Sequence, residues 1–170
     1  MLFTLGAFLV IGQRIVGQRK MSDNWIIVIP EAADHVPSPD ARRKAVELFR
    51  SIAPRADEVK EEASEKVRFI DCGANLERTL CPVCGAELEM EWWREKMDEE
   101  ADAGFPLRSI TLPCCSAQKS LDQLTYDWPQ GFARFSVEAM NPDIPDLTDE
   151  QMRAFESVLG CRVRKVLQHI

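Results

Sequence analysis

Apolar and polar positions change period several times along this chain, and each change predicts an element. Asn24-Trp25-Ile26-Ile27-Val28-Ile29-Pro30 is a β-branched apolar run closed by proline, which predicts a buried strand. Ser38-Pro39-Asp40 supplies an N-cap, an N1 proline and a first-turn acid. Ala41, Ala45, Leu48, Phe49 and Ile52 then recur at helical spacing until Pro54 stops the helix. The charge-dense stretch 56–66 reads as a solvated helical turn or loop, and Lys66 to Gly73 as the next strand. Further on, Phe135, Val137 and Ala139 alternate with Arg134, Ser136 and Glu138, the pattern of a half-buried strand. Thr148-Asp149-Glu150-Gln151 is a capping box, and Met152, Phe155, Val158 and Leu159 stripe the helix behind it until Gly160. Val163, Val166, Leu167 and Ile170 fit a helical period, but the preceding glycine and the β-branched content favour a strand.

The resulting order is β-α-β, an intervening segment, then β-α-β. It predicts an α+β fold, a ferredoxin-like sandwich with both helices on one face of an antiparallel sheet. The intervening segment, about 76–124, has its own pattern. Met90, Trp93, Met97 and Ala101 stripe a helix over Glu87 to Ala103, Gly104 ends it, and Ser109 to Leu112 is a short β-type run. Residues 1–20 read as an extension outside the fold, with 21–170 forming one domain. The apolar run Leu2 to Gly12 has 11 residues, against about 20 for a membrane span. Its basic residues follow it rather than precede it, so no membrane role is expected, and Met21-Ser22-Asp23-Asn24 resembles a natural chain start.

Charge narrows the partners. The 170 residues carry a net −7; residues 1–20 contribute Arg14, Arg19 and Lys20 and no acid, so the remainder carries −10. An acidic body repels phosphate backbones, which argues against nucleic acid and leaves a basic protein as the partner that charge would favour. Nothing in the sequence sets an oligomeric state.

The chemistry-bearing residues are the cysteines. Six cysteines without an export signal suit a reducing cytoplasm and metal ligation better than disulfides. Cys81-Pro82-Val83-Cys84-Gly85 forms a turn whose two sulfurs converge, and it resembles the knuckles of zinc ribbons and rubredoxin-like modules. Leu112-Pro113-Cys114-Cys115 is its answering pair. Cys81, Cys84, Cys114 and Cys115 therefore form the candidate site for a structural Zn²⁺, with iron as the alternative ion. A ribbon would separate the second pair by two residues, whereas neighbouring side chains in an extended segment point apart. Cys72, His35 or His169 can each replace one of them, or the knuckle can be metal-free. A closed four-thiolate site has no open position for water or substrate, so the residues point to a structural rather than a catalytic ion.

No nucleophile elbow, phosphate loop or dinucleotide fingerprint occurs. Cys72 is a conceivable reactive thiol, with a buried structural cysteine as the commoner alternative. Trp92, Trp93, Tyr126, Trp128 and Phe132 crowd around the module as a binding surface or as packing. Taken together, Phe69-Ile70-Asp71-Cys72-Gly73, the two cysteine segments, Tyr126-Asp127-Trp128-Pro129 and Gly131-Phe132-Ala133 resemble a family of small bacterial proteins. That resemblance covers most of the chain after Met21 and implies no activity. The sequence thus points first to a non-enzymatic binding or adaptor protein, such as an immunity-type inhibitor of a basic partner. Second comes an enzyme using Cys72 or an acidic cluster, and third a nucleic-acid-binding zinc module.

Overall fold

A computed structural model of the chain describes residues 22–170; the apolar run at 2–12 and the start at Met21 lie outside the described residues. In chain order the elements are β1 (Asn24–Pro30), α1 (Pro39–Ile52), β2 (Glu58–Ile70), β3 (Thr79–Leu80), β4 (Glu87–Leu88) and α2 (Met90–Asp102). There follow β5 (Ile110–Thr111), β6 (Gln118–Lys119), β7 (Thr125–Tyr126), β8 (Gly131–Met140), α3 (Asp149–Leu159) and β9 (Val163–His169). The protein is of the α+β class.

Its main sheet has four strands in the order β2-β8-β1-β9, every neighbouring pair antiparallel. Alternation along each strand divides the side chains between two layers. Ile26, Val28, Phe135, Val137, Ala139 and Val163 pack with α1 and α3, where Phe49 and Phe155 meet edge to face at 5.2 Å. Each fully buried side chain of this kind contributes about 1.5–3 kcal/mol. Ser38 caps α1 through Ala41 N–H, and Thr148 and Gln151 form the reciprocal cap of α3. A second cluster joins Ile27, Ile29, Ile70, Cys72, Ala133 and Val166. Phe132, next to Ala133, belongs instead to the core of the segment between β2 and β8.

Two expectations need correction. Residues 58–66 are the first part of the 13-residue strand β2, not a solvated turn or loop. Among the described residues β2 pairs only with β8, so its charges sit on a sheet edge, where they cost little and deter pairing with other chains. β8 is not half-buried but buried on both faces, because it lies between β2 and β1. Its polar side is tied up internally: Ser136 Oγ donates to Glu138 Oε1 at 2.6 Å, and Arg68 Nη2 donates to Ser136 Oγ at 3.3 Å.

The other sheet edge, β9, is sealed by the chain flanking the intervening segment. Ala74 N–H donates to His169 O at 3.0 Å, and Trp128 Nε1 and Asn75 Nδ2 both donate to Leu167 O. Gly73 makes this approach workable: its φ is +64°, and a Cβ there would lie 2.0 Å from His169 O. No helix among the described residues is long and apolar enough to cross a membrane.

Candidate metal centre

The segment between β2 and β8 is built from two hairpins of the same design. In the first, β3 and β4 pair Thr79 with Leu88 and Leu80 with Glu87. In the second, β5 and β6 pair Ile110 with Lys119 and Thr111 with Gln118. The turns match bond for bond. Cys81 N–H donates to Ala86 O and Gly85 N–H to Cys81 O, while Leu112 N–H donates to Ala117 O and Ser116 N–H to Leu112 O. Gly85 and Ser116 both take a left-handed φ, +72° and +58°. Cys81-Pro82-Val83-Cys84-Gly85-Ala86 therefore corresponds to Leu112-Pro113-Cys114-Cys115-Ser116-Ala117.

That correspondence explains how adjacent cysteines serve one site. Cys115 takes the place of Cys84, whereas Leu112 takes the place of Cys81 and is fully buried. The remaining sulfur comes from Cys114, at the turn position held by Val83. The strained turn, rather than an extended strand, lets both side chains face the first hairpin. Cys81 Sγ lies 3.7 Å from Cys115 Sγ, Cys84 Sγ 3.5 Å from Cys114 Sγ, and Cys114 Sγ 3.8 Å from Cys115 Sγ. All four sulfurs fall within 4.8 Å of one another. Zinc–sulfur bonds of about 2.3 Å at tetrahedral angles put ligand sulfurs about 3.8 Å apart, so the donor set can hold such an ion.

The electrostatics favour a thiolate at one corner. Backbone N–H groups of Cys84 and Val83 point at Cys81 Sγ at 3.5 and 3.4 Å and hold its thiol down to about 6. Desolvation, with the sulfurs of Cys84, Cys81 and Cys115 close by, pushes Cys114 up to about 12. Cys81 is buried, while Cys84, Cys114 and Cys115 are exposed.

Beneath the sulfurs lies a small core of Leu88, Trp93, Met97, Leu112, Leu121 and Leu124. Aromatic rings connect it to the main sheet. Phe69 and Phe132 lie 5.0 Å apart, Phe105 packs edge-on to Phe132 at 5.3 Å, and Trp93 bridges Phe69 and Tyr126 at 6.1 and 6.2 Å. Trp93, Tyr126 and Phe132 thus pack the module onto the sheet. Trp128 stands apart and is exposed. α2 starts at Met90 rather than at Glu87, because Glu87 and Leu88 are committed to the first hairpin. The buried side of α2 carries Trp93, Met97 and Glu100, with Ala101 exposed. Glu100 accepts from Arg108 Nε at 2.8 Å and from Arg108 N–H at 3.3 Å, fixing the loop that leads into β5.

The other candidate ligands lie outside the four-sulfur group. Cys72 is fully buried beside Gln130, 3.3 Å from its Oε1, and burial raises its thiol. His169 Nδ1 is engaged by Asn24 Oδ1 at 2.8 Å, and His35 Nε2 is buried without a partner among the described residues. Leu112 as a structural equivalent of Cys81 escaped the sequence, because the shared Pro and Ala positions signal it only once the hairpin registers are known.

No family model, curated protein or solved structure matches this chain.

Proposed function

We propose that the protein is a non-enzymatic binding or adaptor protein of the cytoplasm, held in shape by one structural Zn²⁺ on Cys81, Cys84, Cys114 and Cys115. The observation that carries the metal assignment is the four-sulfur group, whose 3.5–3.8 Å contacts suit the edges of a zinc–thiolate tetrahedron. The paired knuckle turns support a zinc-ribbon-like character for the segment at 76–124. The sheet order, with two helices on one side, supports a ferredoxin-like sandwich for the remainder.

A closed thiolate site supplies no activated water and no open ligand position, so the ion's contribution is to folding. The rival enzymatic reading through Cys72 is weakened by complete burial and by a thiol raised above its ordinary range. For the partner, the supporting feature is α2, which exposes Glu91, Glu95, Asp98, Glu99 and Asp102 beside the sulfur cluster's hairpin. A basic protein would meet complementary charge there, as an immunity-type inhibitor requires. Metal analysis tests the first part: one zinc per chain is expected, and its loss in the Cys81→Ser/Cys84→Ser variant. Salt-sensitive association with basic proteins, lost when Asp98 and Glu99 are replaced by lysine, tests the second.

A further inference from the structure

The two turns treat their sulfurs differently. Cys81 is buried at 2% exposure, and its Sγ accepts the N–H groups of Val83 and Cys84 at 3.4 and 3.5 Å. The position that such donors would serve in the second turn is Leu112, which carries no sulfur. The displaced sulfur, on Cys114, is exposed, and its polar contacts among the described residues are with sulfur: Cys84 Sγ at 3.5 Å and Cys115 Sγ at 3.8 Å. Cys84 is exposed as well, and among the described residues its Sγ accepts no backbone N–H.

Donors aimed at a thiolate draw off the electron density that makes it a nucleophile, and oxidation follows thiolate character and access. Cys84 and Cys114 combine exposure, freedom from such donors and the shortest sulfur contact of the group. The other pairings are worse placed. Cys114 and Cys115 share a trans peptide, which sets their Cα atoms about 3.8 Å apart, short of the about 4.4 Å at which disulfides begin. Cys81 and Cys115 lie 3.7 Å apart, but reaching Cys81 means reaching a buried sulfur. Cys84 and Cys114 need only close their sulfurs from 3.5 Å to about 2.05 Å.

We propose that Cys84 and Cys114 are a reversible redox pair, oxidised to a disulfide by hydrogen peroxide with release of the metal ion. The inference rests on the reading of the four sulfurs as a zinc site and adds regulation to it. One thiolate of the pair attacks a peroxide oxygen: an S–O bond forms, the O–O bond breaks and hydroxide leaves. The second thiolate then attacks that sulfur, forming the S–S bond, breaking the S–O bond and expelling a second hydroxide. The two sulfurs together lose two electrons to the peroxide oxygens, and two protons from solvent turn the hydroxides into water. Cys81 and Cys115 remain, two sulfurs where a closed site needs four. The new bridge joins the same two hairpins that the ion joined, so reduction can restore the site.

The test treats the full zinc-loaded chain with hydrogen peroxide, follows zinc with an indicator dye and maps disulfides by peptide mass spectrometry. Trypsin cuts after Arg94, Lys96 and Arg108, so the bridge joins two peptides, and fragmentation tells Cys114 from Cys115. Zinc release in step with one Cys84–Cys114 bridge per chain is expected, both reversed by dithiothreitol and added zinc. Leu112→Cys/Cys114→Val returns the sulfur to the buried, donor-lined position; loaded with zinc, it should react several-fold more slowly. Zinc retained by the wild type in excess peroxide, a bridge between any other pair, or equal reactivity of the two zinc-loaded proteins overturns the proposal. A wild type that holds no zinc but forms the bridge removes the zinc reading and leaves the redox pair. A zinc-loaded wild type that forms no bridge removes the redox pair alone.

Discussion

Leu112 stands in the second hairpin where Cys81 stands in the first. Both are buried, each donates its N–H to the carbonyl of an alanine five residues on, and each accepts from the residue four on. The sulfur missing from position 112 is supplied by Cys114, at a position where the first turn has Val83. Restoring the first turn's pattern should therefore restore its chemistry. Leu112→Cys combined with Cys114→Val is expected to keep one metal per chain, while Cys114→Val alone should weaken binding by at least about tenfold, since even changes to groups behind the ligands cost that much. Competition with a chromophoric chelator measures both. Wild-type affinity in Cys114→Val would show that three sulfurs suffice.

Metal removal should act locally. The module's core is confined to Leu88, Trp93, Met97, Leu112, Leu121, Leu124 and a few neighbours, too little to hold two short hairpins and α2 unaided. A ligand present at about 1,000 times its dissociation constant contributes about 4 kcal/mol to the state that binds it. Chelation should therefore abolish hydrogen-exchange protection in residues 79–126 while that of β1 and β8 survives. Protons compete with metal for the sulfurs, so acidification should weaken binding and release the ion. Zinc-indicator release followed against pH checks the direction.

Asp127 closes the root of the module. Its carboxylate accepts from Glu77 N–H at 3.3 Å and Arg78 Nε at 3.5 Å, and its own N–H donates to Arg78 O. Desolvation opposes ionisation here, but the backbone N–H groups of Arg78 and Glu77 and the Arg78 guanidinium outweigh it and hold the carboxyl below its ordinary value. A depressed carboxyl contributes stability that is present above its unfolded pKa of about 3.9 and is lost as pH falls through the folded value. Asp127→Asn should cost about 1–2 kcal/mol at neutral pH and flatten the acid limb of the stability curve. Urea unfolding at pH 7 and pH 3 separates the two effects.

Gly73 is held at +64° against the end of β9. A methyl group there collides with the His169 carbonyl, and the Ala74-to-His169 hydrogen bond must open. Gly73→Ala is expected to destabilise by about 1–3 kcal/mol. It should also raise the fluorescence exposure of Trp128, which shares that edge. Unchanged stability would mean that the edge is not sealed there.

Much of this architecture was legible in the sequence, and the omissions have identifiable physical causes. Capping residues and apolar stripes marked α1 and α3, and the β-branched run marked β1, because local propensity and tertiary burial agree in these elements. The start of β2 was not legible: an edge strand tolerates Glu61, Glu62 and Glu65 as readily as a loop does. Burial of Ser136 and Glu138 in β8 depends on which strands flank it, and that is fixed by topology rather than by local pattern. The four cysteines announce themselves by spacing, but Cys114 and Cys115 facing one point depends on the left-handed Ser116, a conformation serine seldom reveals in a sequence.

Metal analysis of the purified chain tests most directly whether the four sulfurs hold one structural zinc ion. One zinc per chain in the wild type, falling to near zero in Cys81→Ser/Cys84→Ser, is the predicted result. Full zinc content in that double variant, or a well-folded wild type without bound metal, would contradict it.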